Sequence, residues 1–164
     1  MSTSYTLKLF PVSDASRELY VNHMGGLELN YPNNDNAGFD LLLSENYQYD
    51  GGHFPQFMLA KLGVKAIMLN NVTGQTVHFW LAPRSSIWKN GLILANSMGV
   101  IDRTYRGELM AALQRLTDVT HKTGLRLVQV LAPDMGHISR VCICTDDELD
   151  QTVRGDGGFG STGL

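Results

Sequence analysis

A carboxylate and a tyrosine lie three residues apart in the segment NSMGVIDRTYRGEL, which runs from Asn96 to Leu109. Asp102, beside a turn, can act as a base toward water. Tyr105 can offer its ring face to a sugar or to another ring. The alternative is an ordinary hairpin in which the aspartate satisfies the amides of the turn. Taken alone, the segment favours the hairpin.

Three other segments place polar groups where an anion or a metal can bind. In APRSSIWKNG, Arg84 adds charge beside a short helix that Ser85 can cap, and the free N–H groups at a helix start bind anions. An ordinary capped helix with a surface arginine explains the same residues. In AGFDLLLS, Asp40 interrupts an apolar strand and must be hydrogen-bonded, paired or near a metal. Arg126 and Gln129 interrupt the strand of GLRLVQVLAP and also need partners.

The sequence ends on RGDGGFGSTGL, from Arg154 to Leu164. Glycine loses more backbone freedom on ordering than any other residue, so this tail is expected to be loose. It nevertheless carries one guanidinium, the ring of Phe159 and a Ser-Thr pair. Without other motifs, a disordered end with no function is the favoured interpretation.

Short strands must hold these segments, because most of the chain alternates or is broken by turns. YTLKLF, TVHFWL and RLVQVLA are typical of strands, and NNDNAG, YDGG and NNVTGQ of turns. NNVTGQT, between VKAIML and VHFWLAP, predicts a hairpin connection. This pattern indicates a β-sandwich, jelly roll or barrel. FMLAKLGVKAIML and GELMAALQRLTDV differ, because their apolar residues recur at helical spacing, and the periodicity of the second predicts a helix.

Composition limits the class of protein and of partner. A length of 164 residues suits one domain with a modest core, and the apolar fraction of 43% is ordinary for a globular protein. The net charge of −3 provides no overall positive field to hold DNA or an anionic membrane. We therefore expect no nucleic-acid and no membrane partner. A polyanionic ligand would need local arginines and backbone amides.

The cysteines and the apolar runs predict a compartment. Cys142 and Cys144 in VCIC point the same way on a strand and, without a second pair, do not form a zinc knuckle. We expect buried free thiols and a reducing compartment. No secretory signal opens MSTSYTLKLF, and no apolar run reaches the roughly 20 residues that span a bilayer. The expectation is a soluble intracellular protein in the cytoplasm, or in the host cytoplasm or nucleus if the protein is viral.

The order of the five polar segments is more specific than any one of them. AG-F-DL, PRSS, GVID-x-x-YRGE, G-x-R-x-x-Q and RG-x-GGFGSTG follow one another from about Ala37 to Gly163. This series resembles the five motifs of the trimeric deoxyuridine triphosphatases (dUTPases), and its third and fifth members are highly specific.

The resemblance implies a fold and an assembly. The fold is an all-β jelly roll (β-clip) with one short helix, which should begin near Ser85 and Ser86. GELMAALQ should be a strand with Leu109, Ala111 and Leu113 on one face, and LAKLGVKAIML should also form strands. The assembly is a homotrimer with three active sites at subunit boundaries, each built from motifs of all three chains.

The reaction implied by the resemblance is Mg²⁺-assisted hydrolysis of dUTP to dUMP and pyrophosphate, which limits uracil incorporation into DNA and supplies dUMP for thymidylate synthesis. Asp102 would position and activate the attacking water. Asp40 would act through a metal-bound water, because Mg²⁺ dehydrates reluctantly and keeps phosphate oxygens and waters as its main ligands. Arg126 fits a supporting role. The substrate-binding residues carried over by motif are Arg84, Ser85, Ser86, Asn96, Gly99, Tyr105, Gln129, Arg154, Phe159, Gly160, Ser161 and Thr162.

Base and sugar selection would fall to the hairpin of the third motif. By resemblance, Asn96 faces uracil and the backbone of Gly99 fits closely against the base. A tight pocket rejects the thymine methyl group by steric clash. Tyr105 would pack against the deoxyribose and leave no room for a 2′-hydroxyl group.

The resemblance makes the tail a lid that closes over the bound nucleotide. Phe159 would stack on uracil, while Arg154 and the Ser161–Thr162 pair reach the phosphates. The chain then divides into a β domain over residues 1–153 and a flexible glycine-rich lid over residues 154–164.

Three features depart from the family pattern. The fourth motif usually reads Gly-Asp-Arg, whereas here it reads Gly124-Leu125-Arg126, so we expect Leu125 to be buried and apolar. Ser86 stands where many members have glycine. The stretch ENYQYDGGHFPQFM is long and is interpreted as a surface insertion.

Two other functions remain open. A dCTP deaminase shares the fold and has an Arg-Ser-Ser run, but uses a glutamate base and differs around GVIDRTYRGE. A regulatory protein that uses the nucleotide as a switch is the other, and a partner binding at the 45–58 stretch would favour it. The Asp102–Tyr105 pair and the complete tail favour the hydrolase.

Overall fold

The computed structural model describes residues 3–31, 36–48, 52 and 56–159. These residues are mostly β-strand and include one α-helix and two short 3-10 helices. The strands are β1 (Ser4–Pro11), β2 (Glu28–Asn30), β3 (Gly38–Leu42), β4 (Gln56–Lys61), β5 (Val64–Asn70), β6 (Thr76–Val77), β7 (Phe79–Pro83), β8 (Leu92–Leu94), β9 (Gly99–Ile101), β10 (Met110–Arg115), β11 (Arg126–Leu131) and β12 (His137–Ile143). The helices are α1 (Asp14–Met24) and the 3-10 helices Ile87–Asn90 and Asp146–Glu148.

Within the described residues, the strands form three sheets, with the orders β2-β12-β1-β5-β6, β4-β10-β8 and β3-β11-β7-β9. β1 runs parallel to β12, so the first and last strands are neighbours, and the other pairs are antiparallel. One apolar cluster takes residues from all three sheets. The predicted all-β class is confirmed.

Strand β10 decides between the two readings of GELMAALQ. Ala111, Leu113 and Arg115 are buried, while the intervening residues are half-exposed. This alternation has the period of a strand, and β10 pairs with β4 on one side and β8 on the other. The helix predicted from periodicity is therefore wrong, and the strand implied by the resemblance is confirmed. β4 and β5 confirm the strands expected over LAKLGVKAIML.

The α-helix lies where sequence reasoning placed none. Ser13 caps α1 by accepting a hydrogen bond from the Ser16 amide at 3.1 Å, and the Ser16 hydroxyl accepts one from the Ser13 amide at 3.0 Å. Gly25 ends the helix in the left-handed region, at φ +71°. Ser16, Tyr20 and Met24 recur every four residues and form its buried face.

The helix expected near Ser85 and Ser86 is a single 3-10 turn of four residues, Ile87–Asn90. Ser86 is its N-cap residue, and no side-chain cap hydrogen bond is present at this described position. The expectation that Ser85 caps the helix is wrong.

Two further predictions are confirmed. β5 and β6 form the hairpin predicted around NNVTGQT, and the Asn70 side chain accepts hydrogen bonds from the amides of Val72 and Thr73 at 2.9 and 3.1 Å. Cys142 and Cys144 are free and buried, and burial raises the pKa of Cys144 to about 12.

In the part of the chain that the structure describes, no helix is long and apolar enough to cross a membrane.

Candidate active site

The first, second and fourth motifs meet at one polar cavity of about 410 Å³. Asp40 on β3 is the cross-strand partner of Gln129 on β11, so their side chains lie on the same face of the sheet. Arg84 follows β7, the other neighbour of β11, and Arg126 begins β11 itself. The sheet order β3-β11-β7 therefore brings together residues that are far apart in the sequence.

Asp40 is paired with both arginines of this cavity. Its Oδ1 lies 3.0 Å from Nε of Arg84, and its Oδ2 lies 3.4 Å from Nη1 of Arg126. The requirement that an aspartate in this strand be paired is thus confirmed. Each guanidinium carries five N–H donors and uses only part of them on Asp40. The cavity wall can therefore bind an anion with donors from two arginines.

A glycine makes room for the glutamine of this cavity. Gln129 donates a hydrogen bond from Nε2 to the Pro83 carbonyl at 3.3 Å. A Cβ at Gly38 would lie 2.6 Å from Oε1 of Gln129, so a larger residue would displace it. Ser85 also lines the cavity, whereas Ser86 occupies the start of the neighbouring 3-10 helix.

His23 from α1 completes the cavity wall, and sequence reasoning missed it. Its ring packs edge-on against Phe39 at a centroid distance of 5.5 Å. Burial is the main cause that lowers the pKa of His23, and the positive charge of Arg126 adds to the effect. The ring is therefore favoured in its neutral form beside two arginines.

The third motif and the start of the tail line a second cavity, of about 200 Å³. Asn96, Gly99, Asp102 and Tyr105 come from the hairpin around β9, and the cavity is completed by Leu81, Val100, Ile101, Leu109, Met110, Arg154, Gly158 and Phe159. The predicted base-binding and water-activating residues thus lie together. They line a different cavity from Asp40, Arg84 and Gln129 within one chain.

Asp102 faces the tail rather than closing its own turn. The turn is closed by the backbone, where the Tyr105 amide donates to the Asp102 carbonyl at 2.9 Å. The carboxylate contacts the Arg154 guanidinium, and its Oδ1 lies 3.3 Å from Nδ1 of His78. That nitrogen accepts a hydrogen bond from the Arg103 amide at 3.2 Å. The hairpin alternative, with the aspartate spent on turn amides, does not describe this geometry.

Tyr105 is held rigidly in the cavity wall. Its ring is buried, and its hydroxyl donates to the Glu108 carbonyl at 3.0 Å. Burial raises the pKa of Tyr105, so the hydroxyl stays protonated. A Cβ at Gly107 would overlap the Tyr105 ring, and one at Gly99 would lie 3.1 Å from Cβ of Leu81. The position of the Tyr105 ring therefore requires glycine at 107, whereas a side chain at Gly99 would press against Leu81 and require a small shift.

The described part of the tail packs over the same hairpin. Arg154 donates from Nε to the Gly157 carbonyl at 3.1 Å, and Phe159 lines the cavity with about half of its surface exposed. The predicted residues Gly160, Ser161 and Thr162 lie outside the described residues. Sequence reasoning missed the anchor of this segment: Arg106 makes two hydrogen bonds to Asp150, at 3.0 and 3.1 Å.

The side chains of the polar cavity suit a metal ion that is held mainly by the phosphates of a bound substrate and by water. Among the described residues, no group of three or more His, Cys, Asp or Glu side chains could hold a metal ion. Mg²⁺ commonly binds through one or two carboxylates, substrate phosphates and several waters. Asp40, in the wall of a cavity wide enough for water, fits that mode of binding.

The comparisons with known proteins agree on one family. The dUTPase family model matches residues 28–163. A deoxyuridine 5′-triphosphate nucleotidohydrolase of Crocosphaera subtropica is 34% identical over 140 residues, which are 82% of this chain and 89% of that protein. Its counterpart in Rickettsia prowazekii is 33% identical over 146 residues, which are 87% of this chain and 92% of that protein. The chain belongs to the dUTPase family.

Solved dUTPase structures share the fold. A dUTPase from Streptococcus mutans is 30% identical with a TM-score of 0.55, and the match covers 76% of this chain and 92% of that one. A dUTPase of Staphylococcus bacteriophage 80alpha has a TM-score of 0.50 and 17% identity, over 96% of this chain and 98% of that one. At that identity the second likeness concerns the fold alone.

The fourth motif keeps the dUTPase pattern except at Leu125. The side chain is half-buried and packs against the main core, so the expectation of an apolar site holds, although burial is partial. Its carbonyl accepts a hydrogen bond from the Leu43 amide at 3.0 Å. The residue therefore has a structural place beside Arg126.

Proposed function

We propose that this chain hydrolyses dUTP to dUMP and pyrophosphate with the help of Mg²⁺. The observation that carries the proposal is the division of the motif residues between two cavities of different chemistry. One has a carboxylate, a buried tyrosine and the tail phenylalanine in its wall, which suits a nucleoside and an attacking water. The other has two guanidinium groups and a glutamine, which suits a chain of phosphates.

Asp102 is the proposed base. Water is a poor nucleophile, so a carboxylate that accepts its proton lowers the barrier. Asp102 meets the geometric requirement because its carboxylate is in a cavity wall and is free of the turn backbone. Arg154 lies against it and would turn toward the phosphates once a nucleotide enters.

Selectivity for uracil and deoxyribose follows from the tight packing of the hairpin. Asn96 is the proposed partner of the base edge, and Gly99 leaves backbone, not a side chain, against the base. Because Leu81 lies directly behind Gly99, the hairpin has little room to retreat from a thymine methyl group. The rigid Tyr105 ring would exclude a ribose 2′-hydroxyl group.

The phosphates are proposed to bind in the polar cavity. Arg84, Ser85, Ser86 and Gln129 would hold them, with Arg126 in support. Asp40 would hold Mg²⁺ through a bound water, and Mg²⁺, when bound, offsets the negative charge of the triphosphate. These side chains would orient the triphosphate and keep the phosphate that is attached to the nucleoside next to Asp102.

A homotrimer would unite the two cavities, since each active site could then take its motifs from different chains. We propose that residues 154–164 close over this joint site as a lid. The enzyme would limit uracil incorporation into DNA and supply dUMP for thymidylate synthesis. Its two free, buried cysteines suit a reducing intracellular compartment such as the cytoplasm.

The test is a pyrophosphate-release assay with Mg²⁺ on dUTP, dTTP, dCTP and UTP. We expect turnover of dUTP and little of the other three. Product analysis on dCTP separates the deaminase alternative, because deamination releases ammonia and leaves the triphosphate intact. Equal rates of pyrophosphate release from dUTP and dCTP would contradict the proposal.

A further inference from the structure

His78 lies directly opposite Asp102, although it belongs to none of the five motifs. Strands β7 and β9 are antiparallel, and Phe79 pairs with Ile101 at one end of their ladder. The next position of the same register places residue 78 across from residue 102, and side chains at opposite positions of paired strands are close enough to interact. The pairing of β7 with β9 therefore brings a histidine to the proposed base.

Two groups converge on one nitrogen of the His78 ring. Nδ1 accepts a hydrogen bond from the Arg103 amide at 3.2 Å. The same atom lies 3.3 Å from Oδ1 of Asp102. A backbone N–H can only donate, so Nδ1 carries no proton in this arrangement and the ring is neutral. The carboxylate and the amide that follows it in the chain thus share one neighbour.

Without this nitrogen, the Arg103 amide would be a natural partner for the Asp102 carboxylate. Aspartate side chains readily accept hydrogen bonds from the amides of their own turn, and such local bonds compete with other uses of the carboxylate. The Tyr105 amide is already occupied, because it donates to the Asp102 carbonyl at 2.9 Å. The Arg103 amide is occupied by the imidazole. The carboxylate oxygens therefore stay available to groups outside the turn.

The imidazole has this effect from outside the cavity. In the part of the chain that the structure describes, Asp102 lines the cavity of the third motif and His78 does not. The side chain of His78 is 59% exposed and that of Asp102 is 34% exposed. A substitution at position 78 would therefore change the surroundings of the carboxylate without removing a residue from the cavity wall.

The other oxygen of the carboxylate contacts the tail. Oδ2 of Asp102 is paired with the Arg154 guanidinium. Under the proposed function, Arg154 turns toward the phosphates when a nucleotide binds, so the carboxylate loses this partner at the moment when it must accept a proton. His78 remains, because it is continuous with β7 in the sheet. An Arg103 amide that is already bonded gives the released carboxylate no reason to turn back onto its own turn.

We propose that His78 is a positioning residue for Asp102, which accepts the Arg103 amide and so keeps the carboxylate free to accept the proton of water. The inference rests on the proposed function in taking Asp102 as the base. It adds a requirement on the ring, because only the neutral imidazole can accept this hydrogen bond. A protonated ring would release the Arg103 amide and pair with Oδ1 of Asp102, whose far oxygen faces Arg154.

The experiment is steady-state hydrolysis of dUTP by three variants of the full chain that differ in the acceptor. His78→Phe keeps a ring and removes the acceptor, so kcat should fall about ten- to hundredfold with little change in KM, as expected when a charged group is diverted into a hydrogen bond. His78→Asn carries an oxygen on Cγ, where the ring carries Nδ1, and should keep kcat within about threefold of the wild type. His78→Gln places its oxygen one bond further out, so its kcat should fall with that of His78→Phe.

The pH profile separates this role from simple packing. Imidazole can take up a proton within the physiological pH range, whereas an amide oxygen does not. From about pH 8 to about pH 6, kcat of the wild type should therefore fall several-fold more than kcat of His78→Asn. Protonation of the substrate phosphates affects both proteins alike. Coincident profiles would contradict the requirement for a neutral ring.

The Arg103 amide resonance in a proton–nitrogen NMR spectrum is a readout that does not depend on turnover. In His78→Phe the amide should bond to Asp102, so its shift should follow the carboxyl titration between about pH 7 and about pH 4. In His78→Asn the amide keeps a neutral acceptor and should not follow it. Adding Asp102→Asn to His78→Phe should abolish the response. In that background His78→Phe should also cost little further kcat, because it acts through the carboxylate.

The remaining outcomes each decide a different point. If His78→Asn loses as much kcat as His78→Phe, the acceptor is not the device. If the Arg103 amide of His78→Phe ignores the carboxyl titration, the carboxylate is not diverted and the inference fails. If kcat falls in step with the melting temperature across all three variants, His78 is merely structural. A wild-type protein that hydrolyses no dUTP would refute the proposed function alone, because the Arg103 resonance still reports whether His78 keeps the carboxylate free.

Discussion

Asp40 and Asp102 are both carboxylates in cavity walls, and their partners separate their roles. Asp40 is paired on both oxygens, with Arg84, which follows β7, and with Arg126, which begins β11, so it is an anchor with a fixed place in the sheet. Asp102 contacts Arg154, which belongs to the tail, and His78. The Nδ1 atom of His78 already accepts a hydrogen bond from the Arg103 amide. A partner on the tail can leave when the tail moves. Asp102 is therefore the better candidate for proton transfer.

The substitution Asp102→Asn tests this assignment directly. Asparagine keeps the size of the side chain but cannot accept the proton of water, so kcat on dUTP should fall by about 10²–10⁴-fold. The affinity for dUMP should stay close to that of the wild type. Asp147→Asn, in the exposed 3-10 helix, is the control and should change neither quantity. A variant that keeps a near-wild-type kcat would remove Asp102 from the role of base.

At the scale of elements, the fold could be predicted where a strand presents two clear faces and could not where periodicity is ambiguous. GELMAALQ has helical spacing and good helix formers, yet β10 alternates because pairing on both edges imposes the period of a strand. α1 was missed although SDAS carries a capping box and Gly25-Gly26 a stop signal. Its buried face is narrow, with a serine in it, so the apolar pattern is weak.

Leu125 lies in the turn before β11, at the position where the family motif usually has an aspartate. Its side chain packs against the core at the turn before β11, so Leu125→Asp would place a carboxylate against apolar groups. We expect a loss of about 1–3 kcal/mol in the free energy of unfolding, measured in urea. Leu125→Asn, which adds polarity without charge, should lose less. An unchanged melting temperature with higher dUTP turnover would show that the site still favours an acid.

At the scale of the molecule, motif residues could be recognised from sequence, but the contacts that hold them could not. Arg106 and Asp150, or His23 and Phe39, lie on different segments of the chain and meet only after the sheets have packed. Nothing in the local spacing of either residue indicates its partner. The distribution of the motifs between two cavities also became visible only with the sheet order β3-β11-β7-β9.

We expect the subunits of the trimer to contact one another through the outer face of the β4-β10-β8 sheet. Phe57 and Leu59 on β4 are 67% and 47% exposed, and Ile93 on β8, across the intervening strand β10, is 38% exposed. Exposed apolar patches mark interaction surfaces. Light scattering should give roughly three times 18.1 kDa for the wild type. Leu59→Asp should shift the mass toward the monomer and abolish turnover of dUTP.

Val72→Asp is the control for this experiment. Val72 is 68% exposed in the β5–β6 turn, so the substitution introduces the same charge at another exposed apolar position. It should leave mass and turnover unchanged. An active wild-type monomer would contradict the shared active site.

Removal of residues 154–164 tests the lid without dismantling the fold. The truncated chain keeps Asp150 and its hydrogen bonds to Arg106, and loses no core strand, so trimer mass and melting temperature should stay near those of the wild type. Turnover of dUTP should nonetheless collapse, because the site loses Arg154, loses the Phe159 ring and no longer excludes water.

Phe159→Ala should reproduce part of this defect, because the ring is about half exposed at the cavity and free to stack on a base. Stacking on a nucleic-acid base is worth about 1–3 kcal/mol, which corresponds to a loss of roughly 5- to 150-fold in kcat/KM. Phe159→Trp keeps an aromatic face, so it should retain most of the activity and add a fluorescence change when nucleotide binds. Full dUTP hydrolysis by the truncated chain would show that catalysis does not require the tail.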